Sequence, residues 1–248
     1  GGGATPEWAR VELLKADGRT IRIQGGPYGS VQGPAEAKWG YTTLSVADWD
    51  HDGLPDLLLN SIWGEIVWYR NIGEGNAPKL AAAQAIILTE SMPKPEWFWW
   101  DGSEKQLVTQ WRTTPMAIDF TKDGLIDLVM LDSEGYLCLY ERRRAGAQTV
   151  LNAPARVFVD EDDSPIRLND RTAGRSGRYK ISVVDWDGDG RLDLLVYSEN
   201  AIWYRNVESR KGKHVLKKMG NLGKRNVAGH TSSPTVCDFD KDGKPDLL

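Results

Sequence analysis

The amino-acid sequence predicts an all-β protein, a β-propeller built of four-stranded antiparallel blades. Three observations support that class: an acidic loop occurs four times, alternating apolar runs flank each copy, and no segment keeps a helical period. With 248 residues, 40% of them hydrophobic, the chain can bury one sizeable core. No apolar run approaches the ~18 residues that a transmembrane helix needs, so we expect no membrane insertion.

The acidic loop sets the spacing of the repeat. Its copies are DWDHDGLPD from Asp48, DFTKDGLID from Asp119, DWDGDGRLD from Asp185 and DFDKDGKPD from Asp238. Successive copies start 71, 66 and 53 residues apart, within reach of the period expected for propeller blades. The loop therefore marks one structural unit each time it appears.

Strands are predicted on both sides of the loop. The runs TTLSVA, TPMAI, YKISVV and SPTVC precede its copies, and LLLNS, LVMLD, LLVYS and LL follow them. A short turn then leads to EIVWYRN, YLCLYER or AIWYRN, and a longer return such as KLAAAQAIILT supplies another strand. Runs rich in β-branched and aromatic residues between turn residues are typical of antiparallel strands. We therefore predict repeats at about 39–90, 110–160, 178–220 and 230–248, each with its loop between the first two strands.

The two ends of the sequence do not match whole blades. The run RVELLKADGRTIRI predicts a hairpin over 10–24 that turns at Asp17-Gly18 and completes a blade. The fourth unit stops two residues past its loop, inside a predicted second strand. One arrangement is a closed ring whose last blade is shared between both ends; the other is part of a larger ring. The second is favoured because a strand that stops there leaves an unpaired edge. Residues 1–248 are thus predicted to form one propeller or a fragment of one.

The loop pattern Asp-x-Asp/Thr-x-Asp-Gly-x-x-Asp predicts cation sites. Positions 1, 3 and 5 can point inward as a tight loop winds round a centre, and hard oxygen ligands suit Ca²⁺. Glycine at position 6 permits the sharp turn, position 7 offers a carbonyl, and Asp at position 9 closes the shell. Solvated turns explain four such loops poorly, because uncompensated carboxylates repel one another. We expect three to four calcium sites, the second weaker because Thr121 is a neutral ligand. The predicted ligands are Asp48, Asp50, Asp52, Leu54, Asp56, Asp119, Thr121, Asp123, Leu125, Asp127, Asp185, Asp187, Asp189, Arg191, Asp193, Asp238, Asp240, Asp242, Lys244 and Asp246.

The repeat resembles the FG-GAP/VCBS repeat family, the calcium-loop propellers also found in integrin α-subunit heads. The resemblance extends from about Trp39 onward and rests on the loop motif. It implies a calcium-binding propeller that is extracellular, on the cell surface or periplasmic. Family members include adhesins, lectins and polysaccharide-degrading enzymes, so the resemblance does not imply one activity.

Charge outside the loops favours an anionic partner. The loops hold 15 of the 35 acidic residues, which leaves 20 acidic against 31 basic side chains, a surplus of 11. Four bound Ca²⁺ would move the formal net charge from −4 to +4. Such a surface suits a uronate-containing glycan; an ordinary mixed surface is the alternative. The basic residues are scattered and no recognition motif occurs, so we do not expect a nucleic-acid partner.

The residues that begin the first strand of each repeat are predicted to meet at one face near the propeller axis. Exposed tryptophans stack on sugar rings and arginines pair with carboxylates, which predicts a ligand-binding set; packing of the same rings is the alternative. The predicted ligand-binding residues are Trp39, Trp111 and Arg178 at these strand starts, and Trp97 and Trp100 in the insertion PEWFWWDG, which we expect to reach the same face. For a polysaccharide lyase or glycosidase, we expect Arg112 or Arg178 to neutralise a uronate carboxylate, with His230 or Tyr179 as acid or base.

Two functions are compatible with these patterns. One is recognition of an anionic polysaccharide, with or without its cleavage; the other is non-catalytic adhesion to a protein through the same face. Whether the protein is an enzyme stays open, since the sequence displays no hydrolase pair of carboxylates outside the loops. In either case Arg112→Ala is expected to weaken binding and to leave calcium-dependent stability unchanged.

Overall fold

The structure is a computed structural model that describes residues 10–75, 77–97, 102–170, 177–197, 200–226 and 235–248. Within these ranges the protein is all-β, with short strands, one 3₁₀ turn at Pro34–Glu36 and no α-helix. Nothing in the described ranges forms a helix that is long and apolar enough to span a bilayer. The predicted all-β class is confirmed.

A hairpin opens the described chain. Its strands are β1 (Lys15–Ala16) and β2 (Arg19–Thr20). Asp17 and Gly18 between them have φ values of 49° and 72°, the two positive values that a tight two-residue hairpin turn requires. The Asp17 N–H donates to the Leu80 carbonyl at 2.9 Å, and Ala16 packs beside Leu80. Among the described residues the hairpin therefore lies against the first repeat; that it completes a blade stays a prediction.

Each acidic loop lies between two antiparallel strands. The first repeat forms a four-stranded sheet in the order β3 (Leu44–Ala47), β4 (Asp56–Asn60), β5 (Ile66–Tyr69) and β6 (Gln84–Ala85). The second forms a three-stranded sheet of β7 (Met116–Ile118), β8 (Asp127–Leu131) and β9 (Leu137–Tyr140), followed by a separate hairpin of β10 (Arg142–Ala145) and β11 (Gln148–Leu151).

The third repeat forms the largest sheet. Its strands are β12 (Phe158–Val159), β13 (Lys180–Val184), β14 (Asp193–Tyr197), β15 (Ala201–Arg210) and β16 (Lys213–Asn221), ordered β12-β16-β15-β14-β13. All neighbours are antiparallel except β12 and β16, which are parallel. In the fourth repeat β17 (Val236–Cys237) pairs antiparallel with β18 (Asp246–Leu247).

The hydrophobic core lies between successive sheets. Leu128 and Met130 of β8 pack in a cluster with β4 and β5 of the first sheet. Val129 and Leu131, which alternate with them, pack in a second cluster with β13 and β14 of the third sheet. Because successive side chains of a strand point to opposite faces, one strand contributes to both clusters. The second sheet is therefore buried on both faces, between the first and the third.

The first strands of neighbouring repeats also contact each other. Ser45 Oγ on β3 donates to the Pro115 carbonyl at 2.6 Å and accepts from the Ala117 N–H at 3.2 Å. Thr43 Oγ1 lies 3.3 Å from the Thr113 carbonyl oxygen, to which it donates. These bonds fix β3 and β7 side by side, so the residues at the start of these two first strands lie next to each other.

Candidate metal centres and the adjacent polar face

The four acidic loops share one backbone conformation. Position 4 has a positive φ in every copy, 60° at His51, 61° at Lys122, 74° at Gly188 and 62° at Lys241. The glycine at position 6 has φ between 85° and 88° in all copies, a conformation that L side chains rarely adopt. In each loop an oxygen of the position 1 carboxylate accepts from the N–H of that glycine at 2.8–3.1 Å. The repeated sequence is thus a repeated structure.

In the first three repeats, the Asp at position 9 ties the loop to the backbone in or just after the third strand of the repeat. Asp56 is fully buried; its Oδ2 accepts from the Trp49 N–H at 3.1 Å and its Oδ1 from the Asn71 N–H at 2.6 Å. Asp127 and Asp193 make the corresponding pair of bonds. Burial raises the pKa of Asp127 and of Asp193, and the donated N–H groups oppose that rise. The same geometry in three repeats therefore holds this carboxylate in place through N–H groups of the chain itself.

Three of the loops bring carboxylates together in trios that fit a hard cation. The trios join positions 1, 3 and 9, with one oxygen from each residue lying within 4.8 Å of the others: Asp48, Asp50 and Asp56; Asp185, Asp187 and Asp193; Asp238, Asp240 and Asp246. Asp50 Oδ1 is buried and has no hydrogen-bond partner among the described residues, as expected of an oxygen that a cation would complete. Oxygen-only donor sets of this kind suit Ca²⁺ or Mg²⁺ rather than softer metals.

The second loop differs at position 3. The Thr121 hydroxyl donates to Asp127 Oδ2 at 3.1 Å, and the described residues of this loop form no carboxylate trio. This fits the expectation of a weaker second site, which stays a prediction. The ligand roles predicted for the position 5 carboxylates and the position 7 carbonyls also stay predictions.

Two arginines that the sequence analysis did not select each bind one of the loops. Arg70 Nε lies 2.5 Å from Asp50 Oδ2, and its Nη2 lies 3.0 Å from Asp52 Oδ2. Arg205 makes the same fork in the third loop, at 2.6 Å to Asp187 and 3.1 Å to Asp189. Both arginines stand in the third-strand motif WYRN, whereas the second repeat has LYER there. That difference is the signal from which the fork could have been found.

A buried ion pair includes Arg112, one of the residues predicted to act on a ligand. Arg112, 6% exposed, places Nη2 3.4 Å from Glu36 Oε1, and its guanidinium stacks on Tyr41 with the Cζ 3.1 Å from the ring centroid. Glu36 accepts in addition from the Tyr41 hydroxyl at 2.7 Å and from Ser30 Oγ. Burial lowers the pKa of Arg112, and Tyr41 and Glu36 oppose that shift. The expectation that Arg112 is exposed to grip a ligand is therefore wrong, because the segment around Glu36 covers and neutralises it.

Two of the tryptophans predicted to stack on sugar are buried. Trp111 is 0% and Trp97 8% exposed, and both belong to a cluster with Ile62. The Trp97 indole N–H donates to the Trp63 carbonyl at 2.6 Å. Packing, the alternative given above, is correct for these two rings, since neither offers a face to solvent. Trp39 is 53% exposed and lies edge-on to Tyr41 at 5.5 Å between centroids, so it keeps an accessible ring.

Comparison with known proteins agrees with the loop geometry. A family model described as the FG-GAP-like repeat matches residues 119–196 and 185–248, together more than half of the chain. The chain belongs to the FG-GAP-like repeat family. No curated protein matches this FG-GAP repeat chain. Among solved structures it is similar to an Agrocybe aegerita lectin described for specific recognition of non-reducing terminal N-acetylglucosamine, at 18% identity and a TM-score of 0.45. The match covers 87% of this chain and 48% of the lectin, so the chain spans about half of the lectin's length.

The remaining predicted site residues of the FG-GAP repeat chain are only partly described. Arg178 and Tyr179 are half-buried, and the charge of Arg178 acts on Arg112. His230 and Trp100 lie outside the described residues, so their roles stay predictions. Lys180, which follows Tyr179, was not selected from the sequence; the structure places it beside Arg112, whose charge acts on it.

Proposed function

We propose that this FG-GAP repeat chain is a calcium-stabilised β-propeller, or part of one, that recognises an anionic, uronate-containing glycan outside the cell or at its surface. One observation carries the proposal. Once the three carboxylate trios are assigned to cations, the remaining side chains hold a surplus of positive charge. The surface that a partner meets is then basic although the sequence pI is near 5.5.

The propeller is supported by the stacking of the sheets. Three successive repeats share cores face to face, and Ser45 holds the first strands of the first two repeats side by side. Repetition of this relation turns sheets about a common axis, as blades do in a propeller.

Calcium is the metal we propose, because FG-GAP repeats often bind it and the donors are all oxygen. The carboxylates at positions 1, 3 and 9 would hold it, and it would supply charge compensation. The chain itself prepares the site: the glycine N–H fixes position 1, and the third strand fixes position 9 through the Asn71 N–H and its equivalents. The sites are therefore structural in this proposal.

The test is a binding screen of the calcium-loaded protein against oligogalacturonates, oligoglucuronates and matched neutral oligosaccharides. We expect binding of the acidic series only, weakening as salt rises. The absorbance of unsaturated product, followed in the same mixtures, would add a lyase activity, for which His230 is the predicted acid or base. Binding of neutral sugars alone, or of no sugar while a protein partner binds, would overturn the proposal in favour of another lectin specificity or of adhesion.

A further inference from the structure

The first strands of the repeats surround a cavity of about 580 Å³. Its described lining comes from β3, β7, β13 and β17 and the residues just before them, so all four repeats contribute. A cavity of this volume is in the range that holds a small organic ligand and exceeds what a single inorganic ion needs.

Lys180, at the start of β13, is the one charged side chain among the described residues that line this cavity. It has no hydrogen bond or ion pair within the described part of the chain. The charge that acts on it is a second cation, Arg112, whose own carboxylate partner is Glu36 at 3.4 Å. Within the described part of the chain, Lys180 thus lies near a second cation and has no carboxylate partner of its own.

The surroundings of Lys180 disfavour its charged form, as expected where a cation has no anion beside it. Burial, followed by the charge of Arg112, lowers the pKa of Lys180 to about 8. Both effects oppose the ammonium form, since a partly buried charge without a counter-charge is unfavourable. A carboxylate bound in the cavity would favour the ammonium form and so raise the pKa of Lys180. Perturbed groups of this kind inside a cavity are typical of functional sites.

The rest of the lining suits a sugar. Thr114 Oγ1 is buried without a hydrogen-bond partner among the described residues, and Thr42 adds an exposed hydroxyl. Leu44 and Val46 are 52% and 56% exposed although they lie on a first strand, so they leave an apolar wall uncovered. A pyranose ring presents hydroxyls at its edge and C–H groups on its face, which match such a wall.

We propose that this cavity binds the carboxylate of an acidic sugar at Lys180, with the Thr114 hydroxyl and the Leu44–Val46 strand against the ring. The inference rests on the proposed function and changes its recognition residue from the buried Arg112 to Lys180. It also names the ligand class as a pyranose that carries a carboxylate.

The experiment compares binding of glucuronate and of glucose to the calcium-loaded full chain by NMR titration and calorimetry. Lys180→Met is expected to lower glucuronate affinity about tenfold or more, as for loss of a hydrogen bond to a charged group, and to leave weak glucose binding unchanged. Lys180→Arg should keep most of the affinity. Lys217→Met is the matched control. This exposed lysine does not line the cavity, and its Nζ pairs with Glu161 Oε1 at 2.8 Å. Lys180→Met removes a partly buried charge that has no counter-charge, so its melting temperature should not fall below that of wild type. A thermal melt therefore checks that the variant folds.

The NMR pKa of Lys180 separates this inference from the proposed function. Acetate or glucuronate should raise that pKa, and chloride at equal ionic strength should not. Equal glucuronate affinity in wild type and Lys180→Met, or a Lys180 pKa that ignores both carboxylates, overturns the inference. A Lys180 pKa that responds to acetate while every acidic glycan fails to bind supports an anion site and overturns its assignment to sugar, together with the proposed function.

Discussion

Arg70 Nε lies 2.5 Å from Asp50 Oδ2, while Asp50 Oδ1 is buried and without a partner among the described residues. One oxygen of the carboxylate is thus fixed by the chain, and the other is one that could bind a cation. Burial raises the pKa of Asp50, the charge of Arg70 lowers it, and the other carboxylates of the loop raise it. The second repeat has Glu141 in place of this arginine. The equivalence follows from the next residue in each repeat, because the N–H groups of Asn71 and Arg142 donate to the position 9 carboxylate of their own loops. Among the first three repeats, the arginine is present in the two that have Asp at position 3 and absent in the one that has Thr121.

Arg70→Met should make the first loop more dependent on calcium. Without the guanidinium, the carboxylates of Asp50 and Asp52 repel each other unless a cation is bound. We expect a lower melting temperature than wild type in excess chelator and a much smaller difference in excess calcium. Arg144→Met, an exposed strand arginine outside the loops, is the control. Equal losses for Arg70→Met under both conditions would contradict the prediction.

Chelation should destabilise the whole chain. Each loop joins the first two strands of a sheet, so like charges left in contact loosen the fold, and calcium at about 100 times its Kd should restore about 2.7 kcal/mol per site. Asp187→Ala should cost more than Thr121→Ala in calcium, because it removes a charged member of a trio. Thermal melts with added EDTA and then calcium measure both; an unchanged curve in chelator would refute the structural role.

Arg112→Met should lose stability, contrary to the expectation drawn from the sequence for Arg112→Ala. The substitution leaves the Glu36 carboxylate buried without its cation, and breaking a buried pair typically costs about 3–5 kcal/mol. The double variant Glu36→Gln with Arg112→Met should recover part of the loss, since no unpaired charge remains. Urea unfolding of the three proteins measures this, and a single variant as stable as wild type would show the pair to be dispensable.

His214 should make stability fall in mild acid. Its ring packs edge-on against Phe120, 4.9 Å between centroids, and burial lowers its pKa. The unfolded chain then takes up a proton near pH 6.5 while the folded chain does not, so this group has no effect above that pH and destabilises the fold as pH falls below it. Urea unfolding at pH 7.5 and 5.5 should show a smaller drop for His214→Phe than for wild type. Identical drops would contradict the assignment.

The all-β class and the positions of the loops could be predicted from local sequence. Strand alternation has a fixed period, and the loop places Asp and Gly at fixed positions, so Asp48 and Gly53 meet through contacts only five residues apart. The hairpin turn at Asp17-Gly18 followed from the same kind of local rule. These elements depend on neighbours in the chain, and the repeat supplied the evidence four times.

Tertiary packing decided what the sequence could not. Whether Trp97, Trp111 and Arg112 are exposed depends on the segment around Glu36, 76 residues before Arg112, which covers the guanidinium. The environment of Lys180 also depends on distant residues. Strands of four repeats line its cavity, and the charge of Arg112, 68 residues earlier in the chain, lowers its pKa. Local patterns therefore determined the strands and the metal loops, because bonds between near neighbours form them. Burial, charge pairing and the cavity were decided by the fold, because they arise only when distant segments meet.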